Sequence, residues 1–467
     1  MKEEIEYLKY FEDTIAYDNK DHKSKILTSN QNFTSISIFA DESRGTIFKD
    51  KKAVNDLLKS LKEGSKKEKE DKLKEFSDIE KRSIGSMLGM AIGDAMGARM
   101  EFEHYIYEDE YDKKKYYNII DLENMGNGPG GHFNLLPGQW TDDTSMGLCL
   151  ADSLLVKDGI LDNYDLMNRF IAWWRGGYNN AFRNNNKYGI RARHSVGLGG
   201  NISLSFRQYM VTPVEKTKAG DKNTSGNGSI MRNAAIPICF NYDIGEACEN
   251  AKKQSLSTHQ GIQAMECCNI LTHIIYKVLN GQKLKDVLDN LKVEAILENK
   301  DNKDKKQYEK YSSAYESVKS LILSKPDNSG NDWNWRTTKI YRYNPLRARK
   351  QPGYIGSYAM DNLAMSLNIV YRTNNFKDAI IKAANLRGDA DSVASVVGQI
   401  AGAAYSVEGI PIDWIETINN WDDGEIALRG YMLSRLHSGK SSYIKKEKKE
   451  EEKKEEEKKE EKKNKNK

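Results

Sequence analysis

Two short stretches hold more oxygen chemistry than local structure requires. In GQWTDDTSMGLCLADSLL, Thr141, Asp142 and Asp143 stand in a row behind the loop residues Pro137 and Gly138. Met146, Leu150 and Leu154 then recur at helical spacing, which puts the three polar residues at a helix N-terminus. Thr and Asp are ordinary N-caps, but one side chain suffices for a cap, and a second adjacent carboxylate adds repulsion that a cation would relieve. In NLRGDADSVASVVGQIAGAAY, Asp389, Asp391 and Ser392 present similar donors ahead of a helix whose Ala394, Gly398 and Gly402 share a face. Six oxygen donors without histidine or cysteine favour Mg²⁺ or Mn²⁺ over Zn²⁺. Brought together, the two clusters have donors for two divalent cations about 3.5 to 4 Å apart.

Three further stretches are weaker signals. TSGNGSIMRNAAIPI sets Gly226, Asn227, Gly228 and Ser229 ahead of an expected helix, an arrangement that aims backbone N–H groups at a phosphate, with Arg232 as a charged donor nearby. Such a run is usually only a turn. LSTHQGIQAMECC places Thr258 and His259 at the head of an amphipathic helix, where a histidine is more often a packing or capping residue. SIGSMLGMAIGDAMGARMEFE reads as a helix N-capped by Ser83, with Gly85, Gly89, Gly93 and Gly97 four apart. Each glycine costs about 1 kcal/mol relative to alanine, and the physical return is close approach of another helix or a ligand. Asp94 and Glu101, seven apart, share a face if that helix persists.

The elements that must position these residues are helical. Across Ser83 to His437 apolar residues recur at three and four, strand-like alternation is scarce, and the whole 467-residue chain has eight prolines. The expectation is an all-α, compact multi-helix domain over about 81–440, with a polar insertion at about 298–345. Residues 1–80 read as an N-terminal extension with a charged linker, and 441–467 as a Lys/Glu low-complexity tail, disordered or at most a solvated helix. The net charge of +4 names no partner: twelve lysines and nine glutamates from Lys445 to Lys467 supply three of those charges. A nucleic-acid partner is not expected. The five cysteines lack a metal or disulfide spacing, and neither a signal sequence nor a membrane-spanning run occurs, so a cytoplasmic monomer is the expectation.

Taken in order, GSMLGMAIGDAMGARMEFE, GQWTDDTSMGLCLADSLL, GNGSIMRNAAIPI, STHQGIQA and GDADSVASVVGQIAGAAYSVEGIP resemble the ADP-ribosylglycohydrolase family over about Ser83 to His437. That family includes dinitrogenase-reductase-activating glycohydrolases and ADP-ribosyl-arginine and ADP-ribosyl-serine hydrolases. The resemblance implies a dinuclear Mg²⁺ or Mn²⁺ centre in a cleft of an all-α fold, acting on an ADP-ribosylated protein or an ADP-ribose-containing small molecule. It makes Thr141, Asp142, Asp143, Asp389, Asp391 and Ser392 the metal ligands, and Glu101, Asp142 and Asp391 the catalytic set. Gly226, Asn227, Gly228, Ser229, Met231 and Arg232 match the diphosphate and ribose cradle, and His259 matches a contact to the distal ribose. Ser392 stands where relatives more often have Thr, and Gly197 where the bacterial branch carries an Asp. A non-catalytic, ADP-ribose-binding or crystallin-like relative is the competing expectation.

Overall fold

The computed structural model describes residues 45–103, 130–182, 195–211, 224–297, 312–337 and 352–437. Helices α1 (Gly45–Glu63), α2 (Lys66–Lys74) and α3 (Asp78–Gly97) lead into α4 (Asp142–Val156), α5 (Asn163–Gly176) and α6 (Gly200–Val211). Next come α7 (Ala235–Cys239), α8 (Ile244–Leu256), α9 (Ile262–Leu279), α10 (Leu284–Asp289), α11 (Val293–Ile296) and α12 (Ser312–Leu323). The last group is α13 (Ala359–Arg372), α14 (Phe376–Asn385), α15 (Ala390–Tyr405), α16 (Ile412–Asp422) and α17 (Glu425–Arg435). Among the described residues there is no strand, and the chain is all-α as expected. None of the described helices is long and apolar enough to cross a membrane.

Two helices form the centre. Every residue of α3 from Ser83 to Gly97 is buried, and so is every residue of α15 from Ala390 to Ala403. They run antiparallel with their small-residue faces together: Gly85 lies against Gly402, Gly89 against Gly398, Gly93 against Ala394 and Gly97 against Ala390. The approach is close enough that a Cβ on Gly89 would lie 2.1 Å from the Gly398 carbonyl oxygen. The stripe therefore serves helix packing, and backbone proximity is what the glycines contribute.

The start of α3 differs from the sequence expectation. Ser77, not Ser83, is the N-cap: its side chain accepts from the Glu80 N–H, and the Glu80 carboxylate accepts from the Ser77 N–H at 2.7 Å. A charged first turn precedes the apolar run, so the first apolar residue marks burial rather than the helix start.

The expected boundary near residue 80 separates helices that pack together. α1 places Val54, Leu57 and Leu58 in the main core and lies against α17, whereas α2 buries nothing and is the exposed helix that its composition suggests. The expected polar insertion is likewise only partly polar. Val318, Leu321 and Ile322 of α12 are buried, and so are Trp333 and Trp335, whose indole N–H groups donate to Asp327 and to the Leu321 carbonyl. The expected tail, residues 298–311 and residues 338–351 lie outside the described residues.

Candidate active site

Because α3 and α15 are antiparallel, the C-terminal end of α3 meets the N-terminal end of α15. A third helix end is brought to the same place by Asp94. One Asp94 oxygen accepts from the Thr141 N–H at 2.9 Å, and the other accepts from the Thr144 N–H at 2.8 Å and its hydroxyl at 2.6 Å. Thr141 is the N-cap residue of α4, yet it makes no side-chain cap bond of its own. Its hydroxyl lies 2.9 Å from Asp94 Oδ1 and 3.2 Å from Asp391 Oδ2 instead. A carboxylate reaching over from α3 thus caps α4, leaving Asp142 and Asp143 in its first turn free for other work. No sequence motif marks Asp94 as a ligand or a catalytic group. The signal that pointed to it was a lone carboxylate inside a buried, glycine-striped helix.

Two acidic triads adjoin here. Asp94, Asp143 and Asp391 each offer a carboxylate oxygen within 4.8 Å of the others, and Glu101, Asp389 and Asp391 do the same. Asp391 is common to both. Both oxygens of Asp143 and Oε2 of Glu101 are buried without a hydrogen-bond partner. Such groups are costly unless a cation or proton compensates them. Burial, and after it the neighbouring Asp391, pushes Glu101 and Asp143 well above the usual carboxylate range. Asp142 is raised by burial and then by Asp94, and Asp391 by burial and then by Asp389. Orphaned oxygens and an all-oxygen donor set fit hard divalent cations.

The helix of Asp94 ends at Gly97, so Glu101 does not reach the cluster along a helix face. It sits in the turn that follows, held through the next two residues: the Phe102 N–H donates to the Gly388 carbonyl at 2.8 Å, and the Gly388 N–H to the Glu103 carbonyl at 3.0 Å. Phe102 takes a left-handed φ of 64° there. These bonds tie the turn carrying Glu101 directly to the turn carrying Asp389.

The carboxylates open into a cleft of about 810 Å³. Glu101, Asp142, Asp389, Asp391 and Ser392 line it, together with Gly226, Asn227, Gly228, Met231 and His259. Thr141 and Asp143 are fully buried within the same cluster. Asn227 joins the two halves, its amide donating to Asp389 at 3.1 Å and to the Gly356 carbonyl at 3.0 Å. Gly197 closes over Asp142 with a φ of 92°, and a Cβ there would lie 2.2 Å from Asp142 Oδ1. The backbone at Gly197 is therefore built for glycine, and an aspartate would collide with Asp142 rather than stand beside it.

Several expectations on the substrate side change. Gly226 to Ser229 do not open directly into a helix: turns run to Ala234 and only the five-residue α7 follows, so this loop brings no long helix N-terminus of its own to the cleft. Ser229 is fully buried against Ser255 and Cys268. Arg232 is equally buried and faces away from the cleft. It donates to the Gln254 side chain and carbonyl, to Ser257 and to Thr258 Oγ1 at 2.9 Å, with its guanidinium over the Phe170 ring. An apolar run on both sides of Arg232 draws it into the core, where these acceptors compensate its charge.

Arg232 nonetheless acts on the cleft through His259. Guanidinium nitrogens only donate, so the Thr258 hydroxyl accepts from Arg232 and can turn its own proton to His259 Nδ1, 2.8 Å away. Burial, reinforced by the Arg232 charge, holds the His259 pKa down at about 3, so the ring is neutral. In the tautomer in which Nδ1 accepts, Nε2 carries the hydrogen, and this edge of the ring lies against Gly226 and Gly228.

This architecture has known counterparts. The sequence model described as ADP-ribosylglycohydrolase matches residues 76–440. An ADP-ribosylarginine hydrolase Tri1 of Pseudomonas putida (strain GB-1) is 31% identical over 349 residues, spanning 72% of this chain and 74% of its own. An ADP-ribosyl-[dinitrogen reductase] glycohydrolase of Rhodospirillum rubrum is 24% identical over 350 residues, spanning 74% and 94%. A solved structure titled ADP-ribosylglycohydrolase-related protein complex superposes with a TM-score of 0.55 at 24% identity, covering 77% of this chain and all of its own, which is a likeness of fold. With the family pattern running through α3, α4 and α15 and their carboxylates converging, the chain belongs to the ADP-ribosylglycohydrolase family and is a hydrolase that removes ADP-ribose from modified residues.

Proposed function

We propose that this cleft hydrolyses the bond between C1″ of ADP-ribose and an arginine guanidinium, using two Mg²⁺ or Mn²⁺ ions. The observation that carries the reading is the convergence of five carboxylates, Glu101, Asp142, Asp143, Asp389 and Asp391, in one buried cluster at the cleft floor. The arginine linkage is supported by relatives at 31% and 30% identity, both named ADP-ribosylarginine hydrolase. Thr141, Asp142, Asp143, Asp389, Asp391 and Ser392 would hold the cations, with Asp94 joining them or orienting Thr141. Bound there, the ions neutralise the carboxylates and supply Lewis-acid polarisation at the reacting ribose.

The remaining steps belong to the chain. Glu101, whose Oε2 is buried without a partner, would be held ionised by the bound cations, take the proton of the attacking water as its oxygen bonds to C1″ and the C1″–N bond breaks, and pass that proton to the departing guanidine nitrogen. The backbone of Gly226 to Gly228 and the Nε2–H of His259 hold the oxygens of the diphosphate or distal ribose. Their binding energy positions C1″ without taking part in bond cleavage. Asn227 keeps Asp389 in place as the substrate enters.

An ADP-ribosylarginine peptide and an ADP-ribosylserine peptide, each incubated with and without EDTA, test the reading. Release of ADP-ribose from the arginine peptide should stop with EDTA and return with added Mg²⁺ or Mn²⁺, and Asp391→Ala should lower the rate at least about 100-fold. Full activity in EDTA would remove the metal assignment, and turnover of the serine peptide alone would remove the arginine linkage.

A further inference from the structure

The cleft mouth next to Glu101 carries aromatic rings that neither the carboxylate cluster nor the diphosphate side uses. Phe102 is covalently next to Glu101. Its ring meets Tyr354 at a centroid distance of 5.3 Å and His132 at 5.0 Å, and His132 meets Phe133 at 5.1 Å. All four line the cleft. Tyr354 is 55% exposed and is one of few large hydrophobic side chains so open to solvent among the described residues. A solvent-exposed aromatic ring held in place at a cleft mouth has a face available to a ligand.

Backbone geometry, rather than surface accident, puts the rings there. Phe102 adopts its left-handed φ of 64° while bonded to the turn of Gly388, which turns Glu101 inward. Tyr354 ends the short helical turn Pro352–Tyr354, and the next residue, Ile355, accepts the N–H of Asp389 at 2.8 Å. Both rings are therefore fixed to the two turns that place Glu101 and Asp389. Gly226, Gly228 and His259 gather around the imidazole, and Ser357 joins that loop to the Tyr354 turn, its carbonyl accepting from the Asn227 N–H and its own N–H donating to the Tyr354 carbonyl. A ribose whose C1″ lies at the carboxylates, with its diphosphate toward His259, would direct its leaving group to this rim.

Charge restricts what that leaving group is. The described residues lining the cleft include four carboxylates and no lysine or arginine, and His259 is neutral. Aromatic faces beside an acidic floor favour a planar cation, which gains from the ring quadrupole and from the field of the carboxylates.

We infer that Phe102 and Tyr354, with His132 and Phe133 behind them, form an acceptor subsite that stacks the guanidinium of the ADP-ribosylated arginine. The inference rests on the arginine reading above and names the residues that would enforce it. Tyr354 is the residue to test, because it is exposed and its replacement leaves the core untouched. Tyr354→Ala should lower kcat/KM for an ADP-ribosylarginine peptide about 5-fold or more, Tyr354→Lys should lower it further, and Tyr354→Trp should keep it. The affinity for free ADP-ribose, measured by calorimetry, should stay within about twofold in all three, because that ligand has no acceptor.

Unchanged kcat/KM in Tyr354→Ala would overturn the inference. So would an equal loss of ADP-ribose affinity, which would assign the rim to the adenosine end. A wild-type protein unable to cleave the arginine peptide would overturn the arginine reading itself, an outcome separate from either of these.

Discussion

Asp143 shows what the cluster demands of single residues. Its two oxygens are buried and unpartnered, with Asp391 and Asp94 as neighbours, and burial together with the Asp391 charge raises its pKa. A carboxyl whose folded pKa is raised contributes stability below its unfolded value, near about 4, and loses it as pH rises through the folded value. Metal-free protein at neutral pH is therefore penalised by this group. Asp143→Asn, which carries no charge, should melt above the wild type at pH 8 in EDTA, with the difference closing as pH falls toward about 4. Saturating Mg²⁺ or Mn²⁺ should reverse the order, because the wild type gains binding energy that the variant lacks. Thermal unfolding across that pH range, with and without metal, checks it. Parallel curves for the two proteins would show that Asp143 bears no buried charge. Gly197 makes the complementary point: there the site needs the absence of a side chain, because Asp142 occupies the space.

At the scale of elements, the seam between α3 and α15 is the device that makes the site. Paired small residues along both helices set their register, and that register brings the turn after α3 to the first turn of α15. A Cβ on Gly398 would lie 1.9 Å from the Gly89 carbonyl oxygen, which is backbone and cannot swing aside. Gly398→Ala gains about 1 kcal/mol in helix propensity but must push the helices apart, an overpacking cost of about 1 to 3 kcal/mol or more. The expected outcome is a lower melting temperature and a larger loss of activity than of stability, since the carboxylates separate with the helices. Gly200→Ala, at the open start of α6 with nothing within 4 Å, is the control for stability. A Gly398→Ala protein as stable and active as the control would show that the seam tolerates a methyl group. α4 depends on a different device, since Asp94 supplies the cap that Thr141 does not.

For the molecule as a whole, the core reaches further than the family pattern. The family match begins at residue 76, yet Val54, Leu57 and Leu58 of α1 are buried in the same core and Lys51 pairs with Asp423 and Glu425 across to α16 and α17. A buried pair, Arg429 with Asp152 at 2.7 Å, ties α17 to α4 and so links that end of the core to the helix bearing Asp142. Removing residues 1–63 should cost on the order of 5 kcal/mol, from three large apolar side chains and the surface they cover. Removing 445–467 should change neither melting temperature nor hydrolysis, because that segment has no hydrophobic side chain. Denaturant melts of the two truncations against the full chain check this, and a stable 64–467 protein would show that α1 is dispensable.

Sequence by itself determined the all-α class, the two carboxylate clusters and the helix starts beneath them, because helical periodicity and adjacent acids are local patterns. It also carried the family pattern across most of the chain. What it left open depended on contacts between distant residues. Ser83 was misread as a cap because burial and helix onset are different events, and the capping box lay six residues earlier. Arg232 looked like a cleft cation, yet only the fold shows it enclosed by Gln254, Ser257 and Thr258 and acting through His259. Asp94 was visible as an acid in a glycine-striped helix, but its partners lie 47 and 50 residues away on α4. Local spacing specifies which groups a helix presents. Only the packing of α3, α4 and α15 decides which of those groups share a dehydrated space, and it is in that space that the carboxylates acquire their chemistry.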